Sequence, residues 1–184
     1  YGNEVGMWGA DDPQNRKPML WKDLGPFEAE RGRDRPEVNE DLFKAFQRAA
    51  AIKRGNPALN DGSFEILLTS DSAGVVAFRR VAADGRQVVV IANNGKPGAP
   101  AQKVSIDLPA QKGAGAKEFF DIFNDPTHDV EVTSEGLPVV KKNPSKGKTV
   151  VYNAEPKAGG GGSVLNIEVP PSKTLVLVSL SLAK

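Results

Sequence analysis

From Ser63 onward, the chain is a succession of short runs rich in β-branched and aromatic residues. Gly, Pro, Asn and Asp separate these runs, so turn-forming residues bound each one as they bound strands. The predicted strands are Ser63–Thr69, Val75–Val81, Arg86–Ala92, Val104–Leu108, Lys117–Phe123, Val130–Thr133, Thr149–Tyr152, Val164–Val169 and Thr174–Leu180. So many short strands in about 120 residues indicate an antiparallel β-sandwich.

Two of these runs are apolar at every position, which places them at the centre of the sheet. They are Val88–Ala92 and Leu175–Val178, and both of their faces should be buried. Ala83-Asp84-Gly85 predicts a hairpin with its glycine in the left-handed conformation. Lys141–Lys148 and Ala158–Gly162 are rich in Gly, Lys and Pro and are predicted to be loops.

Before the strands, one segment has the periodicity of an amphipathic helix beginning at Glu37. Its apolar residues fall on one helical face, and they are Val38, Leu42, Ala45, Phe46, Ala49 and Ile52. Pro36 suits the first turn, and Lys53-Arg54-Gly55 suits the end of the helix. Asn56–Leu59 should break the helix, and Asn60-Asp61-Gly62 should form a turn. The segment before it, Lys22–Pro36, is predicted to be a surface connector.

Charge and composition exclude several classes of protein. The 184 residues carry a net charge of +1 and no clustered basic face, which argues against a nucleic-acid partner. No apolar run approaches the ~18 residues of a membrane span. Cysteine is absent, so disulfides, thiolate metal sites and a cysteine nucleophile are excluded.

The most unusual stretch is Tyr1–Trp21. Tyr1–Met7 is predicted to be the end of a buried strand, and Gly9–Pro18 has the composition of a structured loop. In that loop Asp12 and Arg16 flank a Pro-Gln-Asn turn, so a carboxylate and a guanidinium can reach one ligand. Both groups bind vicinal hydroxyls well, the first as an acceptor and the second as a planar fork of donors. The alternative is an ion pair that only stiffens the loop.

The order of these residues resembles glycoside hydrolase family 13, the α-amylase family. The matching positions are Y-G-N-E-V-G-M, then D-P-x-x-R-x-P-M-x-W, then a helix followed by N-P-A-L before a strand. Within that family the pattern is similar to the neopullulanase, cyclomaltodextrinase and maltogenic amylase group. The motifs cover residues 1–95, and the remainder resembles the family in architecture only.

The resemblance implies an incomplete enzyme. Residues 1–61 would be the C-terminal end of a catalytic (β/α)8 barrel, with its last strand end, loop and helix. Residues 62–184 would be domain C, an antiparallel Greek-key β-sandwich. A complete barrel needs about 250 residues, so the catalytic carboxylates would lie upstream of Tyr1. No cofactor is expected in this fragment, and any calcium would belong to the missing barrel.

Site assignments follow from the same resemblance. Asp12 and Arg16 would bind sugar on the glycone side of the cleft, and Trp8 either stacks on a sugar ring or packs. Glu4 would be structural, because retaining glycosidases need two carboxyl groups ~5–5.5 Å apart and no partner for it is evident. Met19 and Trp21 are expected to pack beneath the loop. His128, although it lies between two aspartates in the predicted turn Asp125–Asp129, is not predicted to bind a metal.

The resemblance therefore implies a parent protein that cleaves α-1,4 links in maltooligosaccharides, cyclodextrins, pullulan or starch with retention of configuration, and leaves open whether it also cleaves α-1,6 links. The fragment alone should be inactive and, because its helix face lacks the barrel, prone to association. Two alternatives stay open: a non-catalytic carbohydrate-binding or structural module, and a glucanotransferase of the same family. The sequence leaves the oligomeric state and the cellular compartment open.

Overall fold

The computed structural model describes residues 1–9, 11–13, 15–21, 23–24, 37–110, 118–159 and 161–179. They fall into two units, Tyr1–Ala50 and Ala51–Lys184. The connector predicted over Lys22–Pro36 lies outside the described residues except for Asp23 and Leu24. Lys117 and Leu180, predicted as strand ends, also lie outside them. No helix in the described part is long and apolar enough to cross a membrane.

The amphipathic helix is present as α1, Glu40–Gly55, and begins three residues later than its periodicity predicts. Asn39 sets the start, because its side-chain oxygen accepts a hydrogen bond of 3.1 Å from the amide of Leu42. This bond satisfies an amide that has no partner within the helix. At the other end, the side chain of Asn56 donates to the carbonyl of Ile52 at 2.6 Å.

A second short helix, α2, spans Pro57–Asp61. The prediction of a turn at Asn60–Gly62 was therefore wrong. Pro57 occupies the first turn of α2, where its fixed φ suits a helix and its missing N–H costs nothing. The amide of Gly62 closes α2 on the carbonyl of Ala58 at 3.2 Å.

Ten strands follow, and all their pairings are antiparallel. They are β1 Ser63–Ser70, β2 Val75–Val81, β3 Gln87–Asn93, β4 Gln102–Pro109, β5 Glu118–Asp121, β6 His128–Val132, β7 Pro138–Lys142, β8 Val151–Pro156, β9 Gly162–Val169 and β10 Lys173–Ser179. The mainly β, antiparallel architecture is the one that the sequence predicts. Strand β7 was missed, because it falls partly in a Lys-rich stretch that reads as a loop, and Gly162 is in β9 rather than a loop.

Eight strands form one sheet in the order β1-β2-β3-β10-β5-β8-β9-β4, and β6 pairs with β7 in a separate hairpin. The central position predicted for the two apolar runs is confirmed, since β3 and β10 are neighbours in the middle of that order. The predicted β2–β3 hairpin is also confirmed, with Gly85 at φ 84°. Strands β1 and β4, at opposite ends of the order, approach each other, so the sheet folds back over its own core.

The core between the layers draws buried side chains from nearly every strand of the large sheet. Phe119, Ile91, Ile106, Leu165 and Leu177 are the largest of them. A second apolar cluster covers the outer face of β3 and β10, where Val88 and Val176 pack with Ile52 and Ala58. These two strands are therefore apolar on both faces because both faces are covered.

Candidate functional site

The first seven residues form a tight turn, so the strand end expected at Tyr1–Met7 is not observed. A single turn of 3-10 helix spans Asn3–Val5. Gly2 and Gly6 flank it with φ values of 83° and 72°, a left-handed conformation that other residues adopt at a cost. The amides of Val5 and Met7 both donate to the carbonyl of Gly2. Local glycine geometry thus overrides the apolar pattern.

A tyrosine links the ends of the segment. The hydroxyl of Tyr1 donates to the backbone carbonyl of Lys17, sixteen residues away. Within the loop, a Cβ added at Gly9 would lie 3.3 Å from the Cα of Asn15, so the backbone at Gly9 passes close to the backbone at Asn15. The described residues of this segment therefore fold back on one another. Ala10 and Gln14 lie outside the described residues.

Asp12 and Arg16 form an ion pair, which the sequence leaves open as the alternative to sugar contact. Arg16 Nε lies 2.8 Å from Asp12 Oδ1, and Arg16 Nη2 lies 3.0 Å from Asp12 Oδ2. The amide of Arg16 donates to the carbonyl of Pro13 at 3.0 Å, which fixes the turn between them. The side chains remain 75% exposed for Arg16 and 62% for Asp12. Three of the five N–H donors of a guanidinium lie outside a two-bond pair of this kind, so a ligand hydroxyl can reach the site.

Trp8 is 50% exposed, and the ammonium of Lys17 lies 5.7 Å from its ring centroid. This is within the range of a cation–π contact. Trp21 does not pack beneath the loop as expected, because it is 55% exposed, whereas Met19 is half-buried. The loop therefore presents two indole rings to solvent. Sequence reasoning missed Lys17, since no local pattern joins residues nine positions apart across a loop.

Glu4 lies in the 3-10 turn and is half-buried. A groove of about 340 Å³ lies elsewhere, between the end of α1 and strands β5, β7 and β10. Its lining is mostly apolar, with Arg54, Asn56 and Ser179 as polar members.

His128 belongs to a polar network in the sandwich. Its Nδ1 lies 3.1 Å from Thr127 Oγ1 and 3.5 Å from Asp125 Oδ2, and its ring stacks on Phe120 at 5.1 Å. Burial raises the pKa of Asp125, but hydrogen bonds from Thr127 and Thr149 and the charge of His128 outweigh burial and lower it below the ordinary value. In the described ranges, no three His, Cys, Asp or Glu side chains converge as a metal site would require.

Part of the chain is similar in sequence to known proteins. A cyclomaltodextrinase of a Bacillus species is 31% identical over 98 residues, which are 53% of this chain and 15% of that protein. Neopullulanase 2 of Thermoactinomyces vulgaris is 32% identical over 113 residues, which are 61% of this chain and 17% of that protein. No family model matches the chain.

A solved structure has a similar fold. A cyclomaltodextrinase structure superposes with a TM-score of 0.51 at 20% identity, covering 98% of this chain and 22% of that one. Over the matched regions the chain is homologous in sequence to the cyclomaltodextrinase and the neopullulanase, and it spans 15% to 17% of the length of these relatives.

Proposed function

We propose that this chain is the sugar-binding rim and bracing sandwich of an α-amylase-family glycoside hydrolase that acts on α-glucans. In this proposal residues 1–61 complete the catalytic barrel and residues 62–184 form domain C. The substrates would be maltooligosaccharides, cyclodextrins, pullulan or starch, cleaved at α-1,4 and also α-1,6 links with retention of configuration. The partial similarity to a cyclomaltodextrinase and a neopullulanase supports this assignment.

The observation that carries the proposal is the exposed ion pair of Asp12 and Arg16. A bidentate pair fixes both groups in one plane, and their exposure leaves acceptor and donor capacity toward solvent. A glucose unit offers adjacent hydroxyls that can donate to the carboxylate and accept from the guanidinium. The pair would thus hold a sugar beyond the point of cleavage and orient the chain of the glucan.

The catalytic step itself would be performed by carboxylates outside these 184 residues. One would form a covalent glycosyl intermediate and the other would protonate the leaving oxygen and then activate water. The purified chain is therefore expected to release no reducing sugar from maltoheptaose or β-cyclodextrin. Turnover that survives repurification of the chain would contradict this assignment of roles.

The sugar-contact role is tested by titrating the chain with maltohexaose in a calorimeter. Loss of a hydrogen bond to a charged group costs about 1.5–3 kcal/mol, so Asp12→Asn and Arg16→Met should each weaken binding about tenfold or more. The matched control is the pair of Asp84 and Arg86, which is also exposed and bonded at 2.7 to 2.8 Å. Asp84→Asn and Arg86→Met should leave the affinity unchanged. Equal effects at both pairs would refute a sugar site at Asp12 and Arg16.

A non-catalytic glycan-binding module is the second candidate, and the exposed rings of Trp8 and Trp21 favour it. Such modules bind sugars mainly by stacking. In that case Trp8→Ala and Trp21→Ala would abolish binding, whereas Asp12→Asn would change it little. The sandwich itself carries only one Tyr or Trp, Tyr152, which is half-buried, so it offers no stacking platform. A glucanotransferase would share every feature of this chain with a hydrolase.

A further inference from the structure

The indole of Trp8 is placed by a residue that no motif singles out. Lys17 is half-buried, and its ammonium lies over the ring of Trp8, 5.7 Å from the centroid. The electron-rich face of an aromatic ring attracts a cation, and Trp binds cations best. One face of this ring is therefore covered by the ammonium, although the side chain as a whole is 50% exposed.

The backbone of Lys17 is itself held in place. Its carbonyl accepts the hydroxyl hydrogen of Tyr1, which ties the end of the loop to its beginning. Immediately before it in sequence, Arg16 is fixed by its two bonds to Asp12 and by the hydrogen bond that its amide donates to the carbonyl of Pro13. A lysine whose main chain is anchored can restrain a ring better than a lysine on a mobile segment, because less conformational freedom is lost when the contact forms.

We infer that Lys17 is a positioning residue, which covers one face of Trp8 and turns the other face toward the glucan. The inference rests on the proposed function, since it supposes that a sugar binds at this loop. The C–H groups of a pyranose ring pack on an aromatic face, and an indole with one face covered offers a single surface for that contact. Lys17 would thereby set the orientation of the sugar relative to Asp12 and Arg16.

The test measures the maltohexaose affinity of the 184-residue chain by isothermal titration calorimetry, a readout that does not depend on Trp8 and therefore also serves the Trp8→Ala variant. Lys17→Met keeps the length of the side chain and removes the charge. An exposed cation–π contact is worth about 0.5–1 kcal/mol, so affinity should fall about two- to fivefold. Lys17→Arg keeps a cation over the ring and should restore the affinity. Lys103→Met removes a charge from an exposed position of strand β4 and should have no effect.

The outcomes separate the inference from the function on which it rests. Trp8→Ala should weaken binding at least as much as Lys17→Met. If Trp8→Ala, Asp12→Asn and Arg16→Met weaken binding while Lys17→Met does not, the sugar site stands and the role of Lys17 is refuted. If Lys17→Arg weakens binding as much as Lys17→Met, the role of the cation is also refuted. If the chain binds no maltohexaose at millimolar concentrations, the proposed function and this inference both fail.

Discussion

A buried arginine closes the sandwich, and its replacement should destabilise this unit measurably. The side chain of Arg79 on β2 is 7% exposed, whereas that of its partner Glu65 on β1 is 44% exposed. Arg79 Nε and Nη2 lie 2.8 and 2.7 Å from Glu65 Oε2. Its Nη1 donates to the carbonyl of Pro109, the last residue of β4, at 2.9 Å. One guanidinium thus joins the two strands at opposite ends of the sheet order.

The expected cost follows from these contacts. The bond to the carbonyl of Pro109 is charge-assisted and is worth about 2 kcal/mol. The pair with Glu65 adds up to about 1 kcal/mol, because the half-exposed carboxylate is partly screened by water. Arg79→Met, which keeps the apolar stem, should therefore cost about 2–3 kcal/mol. For a unit of this size that corresponds to a fall in the thermal midpoint of roughly 6–9 °C.

The measurement is thermal and urea unfolding followed by circular dichroism. Arg86→Met is the matched control, because Arg86 makes a similar pair with Asp84 on an exposed hairpin and should move the midpoint little. A buried charge also costs desolvation energy, and well-packed apolar replacements of buried ion pairs are sometimes stabilising. If Arg79→Met equals or exceeds the wild-type stability, the desolvation term dominates and the closing role argued for Arg79 is wrong.

Three further predictions concern other residues. The carboxylate of Asp121 accepts hydrogen bonds from the amides of Phe123 and Val176 and, at 2.7 Å, from the side chain of Asn124. Asp121→Asn should lower the free energy of unfolding, measured in urea, by about 1.5–3 kcal/mol, because the NH₂ groups of residues 121 and 124 would then face each other. The lowered pKa of Asp125 contributes stability that is present above the ordinary carboxyl pKa of 3.8 and is lost as pH falls below it. The unfolding free energy of Asp125→Asn should therefore fall less steeply than that of the wild type between pH 5 and about pH 2.5. An unchanged slope would contradict a contribution of Asp125 to the acid sensitivity. Phe46 on α1 is 45% exposed, so Phe46→Gln should reduce the self-association of the chain in sedimentation velocity, with Phe64→Gln on β1 as the comparison for an exposed ring elsewhere.

Several features of the fold could be predicted because they depend on neighbours along the chain. Alternating and β-branched residues predicted β1 to β4 and β10 with both ends within two residues of those observed. A glycine at the left-handed position predicted the β2–β3 hairpin. The apolar stripe gave α1, although its first residue was misjudged because the cap is made by the side chain of Asn39. At the candidate site, the Pro-Gln-Asn turn placed Asp12 and Arg16 on one loop, but their spacing left a shared ligand and a mutual ion pair as alternatives, and the structure shows the ion pair.

The remaining features depend on contacts between residues far apart in sequence. Nothing near Arg79 indicates burial, because its partner at Pro109 belongs to another strand of the sheet. The same holds for Asn93, whose side chain donates to the carbonyl of Val169, 76 residues away. Trp21 reads as a packing residue, yet it is half-exposed, and Lys17 reads as an ordinary loop charge, yet it lies over Trp8. Local chemistry determined α1 and most of the strands of this chain. Only the tertiary structure decided which polar groups are buried and which aromatic rings are presented, because these depend on surfaces that meet only when the chain has folded.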